Sequence, residues 1–152
     1  MLQRIQTLYL LVCLVLVGLM YKLPFAELIL PGERFVFRFN RISLVGDQEI
    51  SQLNALAVAI LLVVITLLLV LTIALYKKRM LQIRFSVVNI ILMLGLVGLI
   101  YYYSHVVANT NNAEVVYKIA TVFPFVTAIL NFLALRAIAK DEALVRSMDR
   151  IR

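Results

Sequence analysis

Between about Leu53 and Tyr76 the chain carries no charged side chain and few polar ones. No other feature restricts the fold as much. A helix crossing the hydrocarbon core of a bilayer needs roughly 20 mostly apolar residues. Lipid offers the backbone no hydrogen-bond partners, so such a segment must pair its own N–H and C=O groups, as a helix does. Three more blocks share this character: about 5–23, which stops at Pro24, about 85–103, and about 119–137, with Arg136 near its end. The 152 residues are 64% hydrophobic and 15% charged, against roughly 45–50% and about 25% in soluble domains, and the excess lies in these blocks. The expected fold is an all-α membrane protein, a single domain over 1–152 built as a four-transmembrane-helix antiparallel bundle with left-handed crossings. A small β-containing extracytoplasmic loop joins helices 1 and 2. The outer loops are 24–52 and 104–118, and a cytoplasmic helical tail covers 138–152.

Arg4 ahead of the first block resembles the start of a signal peptide, but Tyr21–Ala26 holds no small-x-small cleavage pattern. The apolar run before Leu10-Leu11-Val12-Cys13 is too short for a lipoprotein box, and the block is read as a retained span. Cys13 is the one cysteine, so no disulfide forms within the chain.

Loops rich in Lys and Arg stay in the cytoplasm. Lys77, Lys78, Arg79 and Arg84 crowd the second connection, Arg4 precedes the first span, and Arg136, Lys140, Arg146, Arg150 and Arg152 lie at or beyond the end of the fourth. With Asp141, Glu142 and Asp149, this side holds ten basic and three acidic residues, which accounts for the whole net charge of +7. Lys22, Arg34, Arg38, Arg41 and Lys118 balance Glu27, Glu33, Asp47, Glu49 and Glu114 on the other. Both termini are therefore expected in the cytoplasm, and the basic excess is attributed to orientation rather than to nucleic-acid binding. Tyr9 and Tyr76 near inner ends, and Tyr21 and Tyr101–Tyr103 near outer ends, suit the headgroup level.

In the first outer loop, Glu27–Leu30, Arg34–Arg38 and Arg41–Val45 are expected as short strands, punctuated by turns at Pro31-Gly32 and Gly46-Asp47. Phe35, Phe37 and Phe39 share one face. A sheet this small is not stable alone, so it must rest on the helix ends, as a lid or as a docking surface for a periplasmic partner. The second outer loop is short and polar, with a turn-rich tip at Asn109–Asn112. It holds His105, the lone histidine, with Glu114 as the only acid nearby. A metal site needs three or four ligands, and none is expected.

No ionisable residue stands at the centre of a span, which weakens the case for a proton relay. The polar residues within spans are neutral: Thr66, Thr72, Ser86, Asn89, Thr121, Thr127 and Asn131. Asn89 and Asn131 suit hydrogen bonds between helices, worth roughly 0.6–2 kcal/mol. Gly95 and Gly98 would let helices approach closely, and Pro124 would kink the fourth span. Beyond Arg136 the composition favours continued helix, with Leu144, Met148 and Ile151 as an apolar stripe and Glu142 paired to Arg146. Such a helix would lie on the anionic inner surface or on a partner.

The opening Leu2–Leu11, the segment Tyr76–Arg84 with Asn89-Ile90 beyond it, and the ending Lys140–Arg152 together resemble a bacterial membrane family, domain of unknown function 4293. The resemblance covers all three inner-face segments and implies an inner membrane of the Bacteroidota. It implies no activity. The features carrying it lie on the cytoplasmic face, where Asp141, Glu142 and Asp149 are expected to meet Arg4, Arg79 or Arg84 in an ion-paired collar that includes Gln82, Arg146 and Arg150.

Three functional classes follow. A structural, assembly or protein-interaction component fits best, using the bilayer and a protein partner at 24–52 or on the cytoplasmic face, alone or as a homo-oligomer. The alternative is a small-molecule transporter or channel subunit acting as an oligomer. An enzyme would want acids, histidines or cysteines within reach of each other, so no catalytic residue and no cofactor is expected. A membrane-impermeant label applied from the periplasm is expected to miss Lys77–Arg84, and labelling from that side would overturn the orientation.

Overall fold

The computed structural model describes residues 3–30, 33–44, 53–76 and 78–149. The expected turns at Pro31-Gly32 and Gly46-Asp47, with Lys77, Arg150, Ile151 and Arg152, lie outside them. The chain is mostly helical. Helix α1 (Gln3–Met20) leads into strands β1 (Ala26–Leu30), β2 (Glu33–Phe37), β3 (Arg41–Leu44) and β4 (Leu53–Asn54). A hairpin of α2 (Leu56–Ala74) and α3 (Arg79–Asn111) follows, then β5 (Glu114–Tyr117), a 3-10 turn (Ile119–Thr121) and α4 (Phe123–Asp149). Three helices are long and apolar enough to cross a membrane: Leu56–Ala74, Arg79–Thr110 and Ile119–Ala143, while the apolar part of α1, Ile5–Met20, is shorter. α1 stops before the expected boundary at 23. The N–H groups of Lys22 and Leu23 both turn back to the Leu19 carbonyl at 3.0 Å, and Pro24 pushes the residue before it out of the helical region.

Each helix buries one stripe with alternating spacings of three and four: Gln6, Leu10, Cys13, Val17 and Met20 on α1, Val58, Leu62, Ile65, Leu69 and Thr72 on α2. On α3 it runs Gln82, Ser86, Asn89, Met93, Leu96 and Ile100, and on α4 Asn131, Ala134, Ile138 and Asp141. A mean spacing of 3.5 keeps a seam facing its neighbours. α4 packs between α1 and α3, and α2 packs on α3 and α1. The opposite faces are apolar as well: Leu67, Ile91 and Phe132 are 57%, 62% and 54% exposed. A soluble monomer rarely presents so much contiguous apolar surface.

The strands form one antiparallel sheet in the order β4-β3-β2-β1-β5. Phe25, Leu28, Phe37 and Ile42 are fully buried beneath it, with Phe35 and Phe39 partly buried on the same core. Phe37 lies edge-on to Phe25 and tilted on Tyr103 of α3, with centroids 5.7 and 6.3 Å apart, and Tyr21 meets Phe39 at 5.2 Å. The sheet therefore sits on the helix ends, as the phenylalanine spacing implies.

The second outer loop departs from its expected form. α3 continues for two more turns to Asn111, and only Asn112 turns, with φ 50°. There the N–H groups of Asn112 and Ala113 both return to the Ala108 carbonyl. The next four residues then pair with β1, from Ala26↔Tyr117 to Ile29↔Glu114. Pro124 does not kink the middle of a span. It occupies the first turn of α4, where a missing N–H leaves no intrahelical bond unmade, and the 3-10 turn before it carries the change of direction. Gly95 and Gly98 sit on the exposed face of α3, and a side chain added at either would meet nothing within 4 Å, so they do not serve close helix approach. The tail is a direct continuation of α4 to Asp149.

Asn tolerates the left-handed backbone that a β-branched residue resists. Asn112→Val is expected to destabilise the fold by about 1–2 kcal/mol relative to Asn112→Gly, measured by steric trapping in detergent.

Candidate functional site

All four helices run between the sheet and an opposite end, and the polar part of their buried stripes gathers towards that opposite end. Gln6, Thr72, Gln82, Ser86, Asn89, Asn131 and Asp141 are all buried there, whereas nearer the sheet the buried polar residues are Ser104 and Thr127 among mostly aliphatic neighbours. On α3, Gln82 and Asn89 stand seven residues apart, which corresponds to about 10 Å of helix.

Asp141 is the meeting point of three helices. Gln6 of α1 donates its Nε2 to the Asp141 carboxylate at 2.5 Å, and Arg79 of α3 donates Nη1 to the Asp141 main-chain carbonyl at 3.2 Å. Gln82 donates Nε2 to the Thr72 carbonyl at 3.0 Å. That carbonyl belongs to the last turn of α2, where acceptors lack helical partners, so Gln82 closes the hairpin by capping it. Of the residues expected in an ion-paired collar, the structure thus brings Arg79 and Asp141 together, through the main chain. Among the described residues the Asp141 carboxylate has Gln6, not a guanidinium, as its partner. Arg84 is exposed and Glu142 half-buried. The side chains of Arg4, Arg146 and Asp149, the tail stripe Leu144, Met148 and Ile151, and all of Arg150 lie outside the described residues. Among the described residues an ion pair stands at the sheet, where Lys118 and Glu27 are 2.9 Å apart.

Deeper in, Asn131 of α4 donates Nδ2 to the Ser86 carbonyl of α3 at 3.5 Å, at the long limit of a hydrogen bond. Both polar atoms of Asn89, the Ser86 hydroxyl and Asn131 Oδ1 are buried with no hydrogen-bond partner among the described residues. Leaving such a group unpaired costs about 1–3 kcal/mol, so the cluster suits water or a small neutral polar group. Cys13 extends the polar line, with its Sγ 3.6 Å from the Thr127 carbonyl.

Beside this region a cavity of about 350 Å³ opens between α1 and the α2–α3 turn, lined by Gln6, Thr7, Leu8, Leu11, Tyr76, Arg79 and Gln82. Among the described residues, no three of His, Cys, Asp and Glu gather as a metal would require. His105 lies exposed at the sheet end, 3.2 Å from Asn109 Nδ2 and stacked on Tyr101. The site's chemistry is that of neutral amides and hydroxyls with one arginine and one carboxylate.

Sequence reasoning missed Gln6. The signal was present, because Gln6 stands four residues before Leu10 and continues the spacing of Leu10, Cys13 and Val17. Replacing Asp141 by Leu would leave the buried Gln6 amide without its acceptor and is expected to cost about 1–3 kcal/mol, whereas Asp141→Asn keeps a carbonyl oxygen for Gln6 and should cost less. Unfolding of both variants in detergent compares the two.

Comparison with curated proteins gives no match. Residues 2–151 match the family described as Domain of unknown function (DUF4293), nearly end to end, and the chain belongs to that family.

Proposed function

We propose that the chain is a four-span component of a bacterial inner membrane, with both termini in the cytoplasm, that serves structure or assembly by binding other proteins. Support for the fourth span comes from direction and packing. α1 runs from the Asp141 end to the sheet end alongside α4, so it travels between the same two ends as the three longer helices. Its 18 residues correspond to about 27 Å, close to the roughly 30 Å of hydrocarbon. The balanced charge of the sheet end and the basic excess of the other supply the orientation.

One observation carries the interaction reading. β1, from the first outer loop, pairs with β5, from the second, and joins both loops in one platform. Lys118 N–H and the Thr121 hydroxyl both donate to the Phe25 carbonyl, and the Lys118–Glu27 ion pair closes the same corner. Among the described residues β5 is an edge strand, with Val116 and Tyr117 exposed on it and Ile29 exposed on its neighbour β1. A rigid, partly apolar platform with an open strand edge is what strand addition by a partner uses.

A photo-crosslinking residue at Val116 is expected to give one discrete protein adduct in cells, and one at Leu67, on the outer face of α2, only lipid. Adducts to lipid alone at both positions would remove the interaction reading.

A second reading, a transporter or channel subunit, draws support from the unpartnered Ser86, Asn89 and Asn131 atoms. Labelling of a cysteine at Asn89 from both membrane faces would favour it. Labelling from neither face would count against it.

A further inference from the structure

The cavity at the α2–α3 turn is lined by two kinds of residue. The polar half of the lining is Arg79, Gln6 and Gln82 with Thr7 and Tyr76, the two glutamine amides also bonding Asp141 and the Thr72 carbonyl. The apolar part is Leu8 and Leu11, which stand exposed on the outer face of α1. The first turn of α3 borders the polar half, and it holds no acidic residue and no side-chain cap, so the positive pole of a long helix adds to the arginine. Arg79 is half-buried, and one of its five N–H donors is engaged by the Asp141 carbonyl. The Asp141 carboxylate is turned to Gln6, is buried, and does not line the cavity. Lys78 and Arg84 stand exposed on the same end. A fixed guanidinium, neutral amides and a helix N-terminus beside exposed leucines match an anion that carries a hydrocarbon chain.

We infer that this cavity holds the phosphodiester of an anionic phospholipid from the inner leaflet, with an acyl chain lying along Leu8 and Leu11. The inference rests on the orientation argued under the proposed function, which puts the basic end at that leaflet. Guanidinium groups bind phosphate oxygens in pairs, and basic pockets between helices on the cytoplasmic side are suited to lipid headgroups. About 350 Å³ accommodates a headgroup and leaves the chains in the bilayer.

The test is native mass spectrometry of the full chain in detergent, titrated with phosphatidylglycerol, with phosphatidylcholine, and with inorganic phosphate as competitor. One phosphatidylglycerol should stay bound under conditions that strip phosphatidylcholine, and millimolar phosphate should not displace it. Arg79→Gln should weaken that binding about tenfold or more, as loss of a charge-assisted bond does, with partial recovery in Arg79→Lys. Leu11→Trp, on an exposed face, should weaken the lipid by crowding its chain, and Arg84→Gln should change nothing. Equal loss in the Arg79→Gln and Arg84→Gln variants, or displacement of the lipid by phosphate, would overturn the site. Equal retention of both lipids would also overturn it while leaving the membrane reading intact. A chain that is monodisperse without detergent and carries no lipid would overturn both.

Discussion

The rest of the structure depends on one arrangement: helices that are apolar outside as well as inside, with the few polar side chains turned inward. In a soluble protein the inner stripe is distinguished by being the only greasy one. Here Leu67, Ile91 and Phe132 point away from the core while Gln82, Asn89 and Asn131 point into it. In the membrane setting proposed above, burial does not select between apolar faces, and helix association draws on close packing and on hydrogen bonds between helices. Beside the apolar core, three polar contacts join distant parts of the chain, Gln6 to Asp141, Arg79 to Asp141 and Asn131 to Ser86.

The two ends of the helices solve different problems. At the sheet end, backbone pairing and phenylalanine packing bind the loops into a platform, with one ion pair at its corner. At the other end, Gln82 caps the last turn of α2 and Asp141 gathers α1 and α3 onto α4. Between them the buried stripes pass from amide-bearing to aliphatic, so solvation of the interior changes along the helix axis.

Much of this was legible in the residues. Apolar length placed α2 and the body of α3 and α4, because composition over some twenty residues outweighs local preference. Alternation and turn signals located β1, β2 and β3 within a residue or two. Other features depend on partners that lie far away in sequence. Glu114–Tyr117 holds three residues that favour strands but is too short to be extended without a neighbour, and β1 supplies one. The role of Pro124 depended on where α4 starts, which a 3-10 turn decides. Gln6 and Asp141, 135 residues apart, hydrogen-bond only because α1 and α4 lie side by side, and charge pairing at long range is a poor substitute for knowing which helices touch. The glycines on α3 misled for a related reason, since small residues signal an interface only when their face is known.

The pairing of β1 with β5 also sets an order of events. The two strands are separated by β2, β3, β4 and the whole α2–α3 hairpin, so the Phe25 carbonyl waits for Lys118 and Thr121 until α3 has been synthesised. Closing so long a loop is entropically slow. The amino-terminal hairpins consequently spend the early life of the nascent chain with one strand edge open, and the sheet becomes complete only once Glu114–Tyr117 has been made.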